Sequence, residues 1–324
     1  MKVGVDMSWK KKLATYTLLT ITVGTTVHII NRFINSSAIS NNLLKFKTDD
    51  YYHWRFGDIY YEKTGTGSPI LLIHDLTTCS SSYEWNKIVS SLAKTNTVYT
   101  LDLLGCGRSE KPEVTYTNFL YVQLINDFIK NVIKEKTNVV ASGESSAIVI
   151  MAAANNDQII DKIMLINPVS FKKLYQNPDS KSKLLKKLIT LPLVGTLLYN
   201  ILINKKQLKE TFIKDYFYDK SKVTDRDIDT YFEAAHLNQT NSKYLFASMI
   251  SKYTNANVLN CLKNIKNSVF ILTGNEISEN IDVAKAYQNE LASIEIVGIE
   301  KAKHLPQMEL PKEVIEQIQI LFDL

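Results

Sequence analysis

The stretch Asn138-Val139-Val140-Ala141-Ser142-Gly143-Glu144-Ser145-Ser146-Ala147-Ile148-Val149-Ile150 decides the fold. It runs from a β-branched apolar segment through small residues into a second apolar segment. An ordinary surface loop would use polar, turn-forming residues and would not need smallness on both sides of a serine. The pattern is that of a strand turning sharply into a helix. Small side chains are required there because the two backbones approach closely, and the turn pushes one side chain out at the sheet edge.

The surrounding chain alternates in the same way. Trp54 to Glu62 and Ile70 to His74 read as strands joined as a hairpin through the turn Thr64-Gly65-Thr66-Gly67-Ser68-Pro69. Tyr83 to Ala93 reads as a helix, Val98 to Asp102 as a strand and Tyr121 to Ile133 as an amphipathic helix. Val139 to Ala141, Ser146 to Ala154 and Lys162 to Asn167 continue as strand, helix and strand. Strands buried on both faces and separated by helices predict a mostly parallel sheet flanked by helices. Residues 177–267 interrupt the rhythm with lysine-rich helical sequence around Leu191-Pro192-Leu193-Val194-Gly195-Thr196-Leu197-Leu198-Tyr199. The alternation resumes at Ser268 to Thr273 and Ile294 to Val297, and a helix starts at Pro311. An all-helical insertion between two strands reads as a lid.

The N-terminal region differs from this body. Lys10-Lys11-Lys12 precede Leu13 to Ile30, eighteen residues without a formal charge. That length is at the lower edge for spanning a bilayer, and six threonines with His28 dilute its apolar character. A cleaved signal peptide and a buried soluble helix are the alternatives. Lysines ahead of the span place the N-terminus in the cytoplasm and the remainder outside the cell membrane. The expected organisation is a cytoplasmic tip and anchor over 1–34, a linker over 35–50, a core over 51–176 and 268–324, and the lid between them.

Composition narrows the function. The chain has 324 residues, 45% hydrophobic and 22% charged, with a net charge of +5. These are globular values, and no basic stripe interleaved with aromatics points to nucleic acid. Three dispersed cysteines and five histidines without ligand spacing suggest neither a disulfide framework nor a metal site, and no cofactor motif stands out.

Four segments in order carry a resemblance to the α/β-hydrolase superfamily, in its lid-bearing esterase and lipase-like branch, over roughly residues 52–324. Gly143-Glu144-Ser145-Ser146-Ala147 is similar to the nucleophile elbow, with Ala147 in place of the last glycine. Asp102-Leu103-Leu104-Gly105-Cys106-Gly107-Arg108-Ser109 resembles the glycine-rich loop. His74-Asp75 stands where the family has His-Gly. His304-Leu305-Pro306, with Glu309 and Pro311, resembles the segment of the catalytic histidine.

The resemblance implies Ser145 as nucleophile, His304 as base, and the N–H groups of Ser146 and Leu76 as oxyanion hole. It makes His74 an orienting residue, Asp102 and Arg108 loop-holding residues, and Cys106 merely small; His236 reads as a surface residue of the lid. Two departures stand out. Asp75 replaces a glycine, and its carboxylate would repel a developing oxyanion if it faced the site. The usual position of the acid holds Ile277, so Glu276 is the expected acid, with Glu279, Asp282 and the uncharged Asn167 as fallbacks. Two functions stay open: a membrane-anchored serine hydrolase of apolar acyl esters or thioesters, and a hydrolase-fold ligand-binding protein with weak or lost catalysis. A carboxylate nucleophile, as in dehalogenation or epoxide opening, is disfavoured because Ser145 holds the elbow. In the lid, Leu191 to Ile203 is expected to line an acyl-chain entrance facing the membrane, with Lys181, Lys183, Lys186 and Lys187 near headgroups, or else to form an ordinary lid core.

Overall fold

The structure is a computed structural model that describes residues 7–45, 51–238 and 240–324. Eight strands form one sheet: β1 Tyr51–Trp54, β2 Gly57–Thr64, β3 Ser68–Ile73, β4 Asn96–Leu101, β5 Thr137–Ser142, β6 Ile160–Ile166, β7 Val269–Gly274 and β8 Glu295–Ile299. Their spatial order is β1-β2-β4-β3-β5-β6-β7-β8. The pairs from β4 to β8 are parallel, while β2 runs antiparallel to both β1 and β4. The expected hairpin between the first two strand segments is therefore corrected. Gly57 opens a tight β1–β2 hairpin instead, and β4 lies between β2 and β3.

The central strands are buried along nearly their whole length, and their alternating side chains feed two cores. Leu71, Ile73, Val139, Ala141, Leu165 and Ile271 face one core; Ile70, Leu72, Val140, Met164, Phe270 and Leu272 face the other. Helix α1 spans Met7–Ala38 and α2 spans Val89–Leu92. The first core is covered by α3 (Asn118–Phe128), α4 (Ser145–Asn155) and, further along the chain, the helix Ser278–Glu290. Tyr83 to Ala93 is broken into a short 3₁₀ turn and α2 rather than one helix.

Between β6 and β7 the chain builds α5 (Phe171–Leu174), α6 (Ser180–Thr190), α7 (Val194–Leu202), α8 (Lys205–Thr211), α9 (Asp225–His236), α10 (Ser242–Ile250) and α11 (Leu259–Asn264). The helix Ser278–Glu290 is then α12, and α13 (Pro306–Glu309) and α14 (Pro311–Phe322) close the chain.

The N-terminal helix extends past the expected anchor boundary at 34, through Ala38, so the first residues assigned to the linker are helical. Its last turns dock onto the insertion. Asn31 donates to the Leu193 carbonyl (3.0 Å) and accepts from Asn200 (3.0 Å), and Thr240 donates to Asn35 (3.0 Å). Farther on, the N–H groups of Leu43 and Leu44 both bind the Glu233 carboxylate. Residues 46–50 of the expected linker lie outside the described residues.

Candidate active site

The parallel strands end at one edge of the sheet, and three loops meet there: β3 to α2, β5 to α4, and β8 to α13. The turn after β5 decides the chemistry. β5 ends at Ser142, and the residue in the left-handed region is Gly143, with φ of 53°. A left-handed backbone is costly for residues with a Cβ and free for glycine, so Gly143 is the pivot of the turn. The frame is thus small-x-Gly-x-Ser over Ala141 to Ser145, two residues earlier than the sequence frame.

This corrects the nucleophile assignment. Ser145 starts α4, is fully buried, and donates its hydroxyl to the His74 carbonyl (2.7 Å). Its oxygen is aimed at the neighbouring loop, not at His304. The oxyanion assignment changes for the same reason. The Ser146 N–H donates to the Gly143 carbonyl (3.1 Å), whereas the N–H that follows the pivot belongs to Glu144. Leu76 is buried in the loop after β3, directly after Asp75.

The space above Gly143 is filled by Asp75. A Cβ at Gly143 would lie 2.3 Å from Asp75 Oδ1 and 2.5 Å from its Cγ. Asp75 Oδ1 accepts from the Glu144 N–H (2.8 Å), and Oδ2 lies 3.4 Å from His304 Nε2. The departure noted in the His-Asp pair is therefore central: the carboxylate faces the site and stands where a side chain on the elbow would stand.

The loop that aims Asp75 is tightly held. His74 Nε2 accepts from the Leu103 N–H (3.0 Å), so its Nδ1 carries the proton and donates to the Asp75 carbonyl (2.7 Å). Burial keeps that imidazole neutral by lowering its pKa. Below the loop, buried Glu84 accepts from the Asp75 N–H (3.1 Å) and from Gln307 (2.7 Å). Burial first, and the Asp75 charge second, push Glu84 up to about 7. Asp102 accepts from the N–H groups of Ser82 and Arg108 and pairs with the Arg108 guanidinium (2.9 Å), which fixes the glycine-rich loop alongside.

His304 follows β8 and stacks on Tyr216 of the insertion, with ring centroids 5.2 Å apart. Asn167, itself left-handed with φ of 46°, donates to the carbonyls of Lys303 and His304 and accepts from the Gly274 N–H. It holds the backbone of the histidine loop, not its ring. Burial pushes His304 down, but the hydrogen bond and charge of Asp75 outweigh it and raise the pKa. Burial likewise pushes Asp75 up, while His304 and the Glu144 N–H bring it below the ordinary carboxylate range. The two behave as an ion pair. Their side chains retain 7% and 24% exposure respectively, so the pair is reachable at the histidine end.

The expected acid is not at this pair. Glu276 is exposed, and its carboxylate accepts the Lys301 N–H (3.1 Å). Its reach is spent on the turn after β8. His236, expected at the surface, is buried: it donates to the Phe232 carbonyl, and burial lowers it to about 4. Cys106 is buried in the glycine-rich loop. No group of three or more His, Cys, Asp or Glu side chains that could hold a metal occurs among the described residues.

Sequence reasoning saw Asp75 as an anomaly and missed it as a site residue. The available signal was the pair of exchanges: a carboxylate where the first loop has glycine, and a glycine where the strand ends.

Comparisons with known proteins agree with the architecture. The chain is 23% identical over 111 residues to a soluble epoxide hydrolase of Corynebacterium sp. (strain C12), covering 34% of this chain and 38% of that protein. The segments matched to curated relatives span little more than a third of those proteins' length. Among solved structures, an epoxide hydrolase without ligand superposes with a TM-score of 0.70 at 18% identity, covering 85% of this chain and 98% of that one. A membrane phospholipase A superposes with a TM-score of 0.65 at 17% identity, over 97% of this chain and 98% of that one. Residues 68–311 match the alpha/beta hydrolase fold family. With this match over most of its length and the sheet described above, the chain belongs to the α/β-hydrolase fold family, and two of the curated relatives it matches in part are named as hydrolases.

Proposed function

We propose that this chain is a membrane-anchored hydrolase in which the Asp75 carboxylate is the nucleophile and His304 the base. Its substrate in this reading is an apolar molecule with an electrophilic saturated carbon, such as an epoxide. The observation that carries the reading is the direction of the Glu144 N–H. In acyl transfer, such a donor must be open to the oxygen of the substrate's carbonyl. Here it is 2.8 Å from the protein's own carboxyl oxygen.

That placement suits a two-step displacement. Asp75 Oδ2 attacks the carbon, a carbon–oxygen bond of the substrate breaks, and the departing oxygen takes the proton of the His304 imidazolium, relayed by water, which leaves His304 neutral. The result is an ester on Asp75. His304 then removes a proton from a water that attacks Asp75 Cγ. The charge of that tetrahedral intermediate develops on Oδ1, where the Glu144 N–H already stands. Collapse expels the product's oxygen, which takes the proton from His304 as the alcohol leaves; the Asp75 carboxyl then gives its own proton to His304, which restores the carboxylate and the ion pair. The epoxide hydrolases among the relatives support the substrate class by analogy.

The serine–histidine–glutamate mechanism has no support in this geometry, because Ser145 and Glu276 are both engaged elsewhere. A binding protein without turnover is the second reading, favoured by the same carboxylate filling the elbow and by Glu276 serving the Lys301 N–H. The anchoring part rests on α1, which is long and apolar enough to cross a membrane, and on the membrane phospholipase that superposes over nearly the whole chain. In this reading the N-terminus is cytoplasmic and the hydrolase body lies outside the cell membrane.

The decisive experiment offers an apolar epoxide to the His304→Gln variant, followed by intact mass and peptide mapping. Removing the base should stall the second step and leave the substrate's mass on Asp75. No adduct, together with no turnover by the unaltered protein and retained binding, would establish the second reading instead.

A further inference from the structure

The insertion exposes apolar surface that its own fold does not require. Helices α6 and α7 meet at an elbow, Leu191 to Val194, and the α6 segment and the segment Val194–Tyr216 are bent by 105°. The elbow is built to be stiff. Gly195 lies so close to α6 that a Cβ would stand 2.2 Å from the Ile189 carbonyl oxygen. The buried Lys243 ammonium clamps both sides of the turn, donating to the Leu191 carbonyl (3.3 Å) and the Thr196 hydroxyl (3.0 Å). Leu193 is left-handed, with φ of 56°, an unfavourable backbone state for a leucine. What that strain achieves is exposure: Leu193 and Val194 project at the tip with 39% and 54% of their surface open, and Leu184, Leu188 and Ile201 flank them, also exposed. A soluble fold would cover or replace such a tip.

The position of the tip names the partner. Asn31 donates to the Leu193 carbonyl and accepts from Asn200, so the tip is fixed level with residue 31 of α1. The eighteen residues before it, Leu13 to Ile30, rise about 27 Å as a helix, close to the ~30 Å hydrocarbon thickness of a bilayer. Asn31 then sits where the span leaves the lipid, and the tip sits there with it. Three of the four lysines singled out on α6, Lys181, Lys183 and Lys187, are exposed. The fourth, Lys186, is turned inward onto the Thr115 hydroxyl and the Tyr253 ring. On the inner side, one apolar cluster runs from Ile34 and Ala38 of α1 through Phe212 to Leu305, with Tyr216, the residue stacked on His304, packed against it.

We propose that the α6–α7 elbow is a second membrane contact, inserting Leu193 and Val194 into the lipid interface beside the exit of α1. The proposal rests on the anchored reading of α1. It commits to a lipid surface as the occupant of the patch.

The test uses the full chain in vesicles of phosphatidylcholine and phosphatidylglycerol. In a Cys261→Ser background, Leu193→Cys and, separately, Val194→Cys are labelled with an environment-sensitive fluorophore; Cys79 and Cys106 are buried. Ile320→Cys on α14, 57% exposed, is the reference position. The elbow labels should shift to the blue and be quenched by a nitroxide near the lipid headgroup, while the reference label stays open to aqueous iodide. Alkaline carbonate extraction separates the two ways of failing. A chain released by carbonate would overturn the anchored reading and the elbow contact with it. A chain retained in the membrane, with elbow labels as open to iodide as the reference, would overturn the elbow contact alone.

Discussion

The turn after β5 and the loop after β3 face each other across one sheet edge, and they have exchanged chemistry. The turn keeps the backbone of a nucleophile elbow, with its left-handed pivot at Gly143 and the Glu144 N–H beyond it, but carries no side chain there. The loop after β3 carries a carboxylate, Asp75, which reaches over and fills the vacated space. Position in a motif and position in space are therefore different things. A reactive group can be supplied by either of two neighbouring loops, and the backbone donor serves whichever group arrives.

The largest effect should follow from removing the charge of Asp75. Asp75→Asn keeps the shape and the acceptor for the Glu144 N–H but is a far poorer nucleophile. Turnover of an apolar epoxide should fall by at least ~10⁴-fold, in line with losses at other nucleophiles and their partners. Circular dichroism should show the fold intact. A rate within tenfold of the unaltered protein would place the chemistry elsewhere.

Reversing the exchange sharpens the comparison. Gly143→Ser alone puts a Cβ 2.3 Å from Asp75 Oδ1 and forces a left-handed serine, so urea unfolding should show a loss of about 2–4 kcal/mol. Combining it with Asp75→Gly removes the clash and frees the Glu144 N–H. The double variant should recover most of the overpacking cost and acquire reactivity toward a serine-directed phosphonate, while the unaltered chain should show none. Additive losses in the double variant would mean that the two loops do not share the space.

Much of this molecule was legible beforehand. The alternation of doubly buried strands with helices follows from β-branched runs such as Ile70 to Ile73, and six of the expected strands lie within two residues of those in the structure. The loop of His304 could be placed because the segment His304-Leu305-Pro306, with Glu309 and Pro311, follows the last strand and resembles the family's histidine segment. The elbow was not legible in the right frame, because Gly143 to Ala147 and Ala141 to Ser145 both satisfy a small-x-small pattern. Only the point where β5 ends, Ser142, separates the frames, and the pairing of Ser142 with Ile166 on β6 carries the strand that far. Asp75 was visible as an oddity, but its aim depends on His74, Glu84 and Thr77, which hold its backbone through contacts that no local pattern encodes.

The ion pair makes the comparison sensitive to pH. His304 is raised, so its contribution to stability is complete below the unfolded value of about 6.5 and is lost as pH rises through the folded value. Asp75 is lowered, so its contribution is present above about 3.9 and is lost as pH falls through the folded value. Asp75→Asn removes the main attraction and leaves burial opposed only by the weaker charge of Glu84, which should lower the titration point of His304 in proton NMR. An unmoved titration would show that the 3.4 Å contact is not maintained in solution.

The smallest effects are expected at the two residues the sequence favoured. Ser145→Ala deletes a buried hydroxyl that donates to the His74 carbonyl, which should cost about 1 kcal/mol of stability and leave turnover within a few-fold. Glu276→Gln should do less still. Its carboxylate is exposed and accepts one backbone N–H, that of Lys301, a bond the glutamine carbonyl can replace. If Glu276 were the acid behind His304, neutralising it would remove the partner that orients the imidazole and stabilises its cation, and turnover would fall by orders of magnitude. Here the stabilising charge is that of Asp75, 3.4 Å from His304 Nε2. Equal rates for Glu276→Gln and the unaltered protein, measured beside the collapse expected for Asp75→Asn, would assign the carboxylate that matters to the loop after β3; a collapse at Glu276 would return it to the loop after β7.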